Sequence, residues 1–126
     1  MIIKIPWKTP SINHLYWHRG NIKMMKTEAK NLREDIVNLV PTKPENWDKD
    51  TMLKVTVKVH QSWFYQNGNI RRVDIANLEK FLIDSIFKAW EDMDDRQIFY
   101  QVFIKVEDKE EFSEVIIEEC CDGLGY

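Results

Sequence analysis

Met52-Leu-Lys-Val-Thr-Val-Lys-Val-His60 sends Leu53, Val55, Val57 and Val59 to one side of an extended chain. Lys54, Thr56, Lys58 and His60 go to the other side, the period-two pattern of a half-buried strand. Downstream the period lengthens. From about Ile75 to Trp90, the residues Ile75, Leu78, Leu82, Ile83, Ile86, Ala89 and Trp90 share one broad helical face. Upstream, residues 24–39 read as a second amphipathic helix through Ala29, Leu32, Ile36, Val37 and Val40, with Pro41 and Pro44 stopping it and opening a polar loop to Asp50. Residues 2–5 look like a short first strand ended by Pro6 and Pro10, and Ser11–Gly20 like a loop. Gln66-Asn67-Gly68-Asn69 is a turn, and Gln97–Glu107 and Phe112–Glu119 read as two strands forming a hairpin about Lys109. The order β-α-β-α-β-β predicts an α+β fold, one domain with a mixed sheet and two main helices.

The chain has 126 residues, 44% hydrophobic and 31% charged, a balance that excludes a disordered tract and leaves room for one domain. Six Phe, five Trp and four Tyr supply enough apolar bulk for a core at this length. No apolar run approaches the roughly 20 residues of a membrane span, and Met1–Trp7 lacks the pattern of a signal peptide. The expectation is a cytoplasmic protein without a membrane partner. Cys120 and Cys121 are adjacent, a spacing that strains a disulfide, and too few to cage a metal; reduced, partly buried thiols are expected.

Net charge is −3, which argues mildly against wholesale nucleic-acid binding, but its distribution is uneven. Residues 1–30 hold Lys4, Lys8, Arg19, Lys23, Lys26 and Lys30 against Glu28 alone, while residues 107–126 carry a local charge of −7. An acidic tail can hide a basic face from a whole-chain sum.

Chemistry concentrates between Arg71 and Lys105. Arg71-Arg72-Val73-Asp74-Ile75-Ala76-Asn77 leads into the second helix, and Asp94-Asp95-Arg96-Gln97-Ile98 follows it. Asn77, Lys80, Asp84 and Lys88 gather on one polar stripe near the direction of Asp74. Each has an ordinary structural alternative: Asp74 as an N-cap, Asn77 and Lys80 as solvated positions, Asp94 and Asp95 as a polar loop. Taken together, a chain that folds back after the helix brings carboxylates from both of its ends toward each other. Converging carboxylates repel unless a cation separates them, and oxygen ligands beside a lysine suit Mg²⁺. Glu79 falls among the apolar positions, a placement that exposure in the first turn or a subunit contact would both accommodate.

The run Arg71-Arg72-x-Asp74-x-x-Asn77-Leu78-x-Lys80-x-x-x-Asp84, followed by Asp94-Asp95-x-Gln97-Ile98 and Lys105, resembles the RusA family of Holliday junction resolvases. Ile5-Pro6-Trp7 and Pro10-Ser11-Ile12-Asn13-His14-Leu15-Tyr16-Trp17 resemble that family's N-terminal segment, so the likeness spans most of residues 1–126, with 40–70 the least distinctive. The resemblance implies a homodimeric, Mg²⁺-dependent endonuclease that nicks four-way DNA junctions symmetrically, in a bacterial cell or a phage-infected host. Asp74 and Asp95 would be metal-binding catalytic carboxylates, Lys80 the catalytic lysine and Asp94 a supporting acid at the metal.

One position departs from the family pattern Asp-x-Asp-Asn. Ala76 stands where the second carboxylate belongs, and a methyl group ligates nothing; by helical direction Glu79 is not expected to replace it. Cleavage by this chain is therefore expected to be impaired, which leaves a non-catalytic branched-DNA-binding protein of the same fold as the alternative, and a small protein-interaction domain behind it. Arg71, Arg72, Arg19, Lys23, Lys26 and Asn77 are the candidate DNA contacts. His14, Tyr16, Trp17 and His18 are further aromatic candidates for which structural roles are equally open.

Overall fold

The alternating stretch is the spine of the sheet. In the computed structural model, which describes residues 1–11, 16–19 and 22–120 with the side chains of 16–19, 22, 23 and 77 left aside, this strand is Leu53–Gln61. With the strands numbered in chain order it is β4, after β1 (Ile2–Ile5), β2 (Tyr16–Arg19) and β3 (Ile22–Met25), and before β5 (Ile98–Glu107) and β6 (Phe112–Glu119). The main sheet has the order β1-β6-β4-β5, antiparallel except for the parallel pair β4–β5. Helices α1 (Thr27–Leu39) and α2 (Ile75–Ala89) complete a mixed-sheet α+β domain, as the hydrophobic periods predict.

Leu53, Val55, Val57 and Val59 are all buried, together with Ile3 and Ile5 of β1 and Val115 and Ile117 of β6. Leu78, Phe81, Leu82, Ile83 and Ile86 of α2 complete this core, to which α1 adds Ala29 and Ile36. Across the helices, Arg33 Nε donates to Ser85 Oγ at 3.3 Å, and that hydroxyl donates to the Phe81 carbonyl at 2.7 Å. The polar loop after α1 is anchored by Trp47, whose ring meets Trp90 edge-on at 6.0 Å; Trp90 Nε1 donates to the Pro41 carbonyl at 2.9 Å. The turn expected at 66–69 forms, with Gly68 at φ +87°, a region open to glycine at no steric cost.

Three expectations change. Tyr16–Arg19, within the stretch expected as a loop, belong to an antiparallel ribbon, β2 with β3, in which Arg19 pairs with Ile22. Its second strand takes residues 24 and 25, so α1 starts at Thr27, three residues later than the periodicity suggests. The last two strands form no hairpin either. β4 lies between them, parallel to β5 and antiparallel to β6, and residues 108–111 step across its end. The reason is burial. β4 hides every second side chain and takes the centre, whereas β5 leaves Phe99, Tyr100, Phe103 and Ile104 exposed at the edge.

Candidate active site

Asp74 starts α2 as its N-cap, with Oδ1 accepting from the Ala76 backbone N–H at 3.0 Å. The capping alternative is therefore realised, and it engages one carboxylate oxygen. After α2 the chain reverses through Glu91 and Asp92 into a single 3₁₀ turn, Asp95–Gln97, capped by Asp94. Asp94 Oδ1 accepts from the Arg96 N–H at 3.1 Å, while Gln97 Oε1 accepts from the Asp94 N–H at 2.8 Å. Gln97 is buried, and its Nε2 donates to the carbonyls of Asp48 and Thr51 at 2.8 and 2.9 Å. One glutamine thus pins the acidic turn to the loop ahead of β4.

This return sets Asp95 against the exposed flank of α2. A cavity of about 260 Å³ is lined there by Ala76, Glu79, Lys80 and Asp84 from the helix, and by Asp95 and Gln101 beyond it. Lys80 Nζ lies 3.6 Å from Asp84 Oδ2, one turn along the helix. Glu79 accepts a hydrogen bond from Gln101 Nε2 on β5. Burial raises the Glu79 carboxyl above its usual range, with the charges of Asp84 and Asp95 adding to the rise. Asp95 is raised by its hydrogen bond to Asp94, by burial and by the charges of Asp94 and Asp84. Asp94 is lowered, chiefly because the Arg96 N–H stabilises its charged form.

The expected direction of Glu79 is corrected here. Residues three apart on a helix differ by about 60°, so Glu79 shares the cavity with Ala76 one turn above it. Gln101 also escaped the sequence reading, although the β4–β5 register pairs it with Val55 and so turns it toward the helices. Asp74 and Asp94 adjoin the cavity in sequence but are not among its lining residues. Lys26 and Arg71 line a different cavity, Arg72 is exposed, and the side chains of Arg19, Lys23 and Asn77 lie outside the described residues, as do His14 and Cys121. Cys120 is half-buried.

The acidic side chains offer only oxygen donors, and Asp84 and Asp95 line the same small cavity as Glu79; that chemistry fits a hard divalent ion. Among the described residues, no three acidic, His or Cys side chains already converge as a metal cage. Nor is any described helix long and apolar enough to cross a membrane.

The family model described as Endodeoxyribonuclease RusA matches residues 6–118, nearly the whole chain. The chain belongs to the RusA endodeoxyribonuclease family. This is a family of nucleases that resolve Holliday junctions and act on branched DNA. No individual curated protein matches the chain. The RusA match covers both ends of α2, and with them the helix flank and the return turn that frame the acidic cavity.

Proposed function

We propose that this chain is a structure-selective, Mg²⁺-dependent endonuclease of four-way DNA junctions whose cleavage is impaired by Ala76. The observation that carries the reading is the cavity between α2 and the 94–97 turn, where Asp95, Glu79 and Lys80 meet at the alanine. Asp74, Asp95 and Asp94 would hold the ion, with Glu79 able to contribute from the same wall. When bound, Mg²⁺ would supply charge neutralisation at the attacked phosphate and a more acidic water. Lys80 would steady the phosphate, a role it can take on leaving Asp84. Arg71, Arg72, Lys26, Arg19, Lys23 and Asn77 would hold the flanking DNA.

A junction presents two equivalent strands, so a two-fold dimer places one site on each. The exposed edge of β5, with Phe99, Tyr100, Phe103 and Ile104, offers a surface for a second copy. The test is a gel assay of four-way junction binding and Mg²⁺-dependent cleavage, with this chain beside Ala76→Asp. Both should bind, and Ala76→Asp should cut about 10²-fold faster or more, the scale of one charged ligand at a metal site. Equal binding with no cutting by either would favour the non-catalytic junction binder.

A further inference from the structure

A second cavity, of about 500 Å³, lies on the other side of the first turn of α2. Leu78 lines it, about 200° round the helix from Ala76, so the start of α2 is the wall between the two cavities. The volume is within the range of small-molecule sites, roughly 300–1,000 Å³. Pro10, Ala29, Leu32, Val73 and Leu78 make most of the lining apolar, while Lys8, Lys26 and Arg71 outnumber the single acid, Glu28. Lys8 is engaged with Glu111 at 3.2 Å, whereas Lys26 is exposed and has no side-chain partner among the described residues.

Gln61, the last residue of β4, also lines this cavity and is only 7% exposed. Its carboxamide makes no hydrogen bond among the described residues. Among the described residues no fully buried side-chain N or O lacks a partner, so the Gln61 amide atoms keep some access, and the cavity they line provides it. Held in a residue that is otherwise buried and reached through the cavity, this carboxamide offers a donor and an acceptor side by side. Apolar walls, an adjacent donor–acceptor pair and cations at the margin are what an unstacked nucleobase and its phosphates require.

We infer that this cavity receives one DNA base extruded beside the branch point, with Gln61 bonding the base edge and Lys26 and Arg71 the neighbouring phosphates. The inference rests on the DNA-binding function proposed above and adds a base-recognition site to it. Extrusion is cheapest where pairing is already interrupted, as at a branch. Because Arg71 and Val73 line this cavity and Ala76 lines the acidic one, a strand held here runs over the start of α2 toward the carboxylates.

The test uses the full chain and four-way DNA junctions carrying 2-aminopurine or pyrrolocytosine at each position flanking the branch in turn. Salt-dependent affinity is measured on the same samples. One position should brighten several-fold on binding as its base leaves the stack. Gln61→Met, similar in volume but without the hydrogen bonds, should reduce discrimination among bases at that position by about tenfold while the salt slope is kept. Lys26→Ala with Arg71→Ala should flatten the slope instead. Salt-dependent binding with no brightening at any position overturns the base pocket and leaves the DNA function standing. Absence of junction binding overturns both. Should Gln61→Met fail to fold, the brightening of the unsubstituted chain decides alone.

Discussion

At the start of α2 the demands of folding and of the proposed chemistry fall on the same side chains. Asp74 spends one oxygen on capping the helix, which leaves the other for an ion. Lys80 is already paired with Asp84, so its charge is held at the cavity before any phosphate arrives. In an Ala76→Asp background, Lys80→Ala should leave junction affinity nearly unchanged and slow single-turnover cleavage by about 10²–10³-fold. Arg71→Ala with Arg72→Ala should instead weaken binding and flatten its salt dependence by roughly one to two units of slope. If Lys80→Ala behaves like the arginine pair and cuts normally once bound, Lys80 is a phosphate anchor and nothing more.

Glu79 makes a separate prediction from its raised carboxyl. Its folded-state pKa lies above the ordinary 4.5, so the native state binds more protons than the unfolded one. Stability contributed by this group is therefore present at low pH and falls as pH rises through 4.5 and the raised value. Glu79→Gln should remove that fall, so denaturant midpoints from pH 4 to 7 should show the variant gaining on its parent as pH rises. A constant offset would mean that Glu79 titrates normally. The sequence concealed this residue because it sits among apolar positions, and only the strand opposite, with Gln101, reveals why a carboxyl is tolerated there. The two clusters of Asp were legible because their residue type and spacing carry chemistry without reference to partners.

Among the elements, the acidic turn depends on a buried side chain rather than on its own short backbone. Gln97→Ala deletes two hydrogen bonds to the 48–51 loop and one to the cap of the turn. Three partly buried bonds at about 1 kcal/mol each, with the stranded carbonyls adding somewhat to the cost, predict a loss of about 3 kcal/mol, readable as a fall in the denaturant midpoint. An unchanged midpoint would show that water replaces the amide without cost. β4 and the two helices were readable because periodicity reports burial directly. Strand neighbours were not, since Gln97–Glu107 and Phe112–Glu119 satisfy a hairpin's spacing while β4 outcompetes each for the other.

For the molecule as a whole, the exposed edge of β5 bears on assembly. Light scattering should give twice the chain mass of 15.2 kDa, and Phe103→Lys with Tyr100→Lys should return it to one chain by charging the edge. A single-chain mass without substitution would remove the two-fold arrangement on the junction. The outer face of the sheet has its own organisation. His60 bonds Asp108 at 3.1 Å and Glu114 at 2.8 Å, and its ring stacks on Phe112, over which Lys4 lies. Basic and acidic ends of the chain therefore meet on one face of the sheet.

That meeting has a cost in time. β1 finds its partner in β6, with Ile2 opposite Ile116. On a ribosome adding about 5–20 residues per second, β1 waits roughly 6–23 s for that strand to be made. Throughout that interval Ile3 and Ile5 have no sheet to enter, and the central strand, once made, has at most β5 beside it. A nascent chain of this topology is exposed to chaperones and proteases until almost its last strand emerges, so destabilising changes should lower its yield in cells more than its stability once folded would suggest.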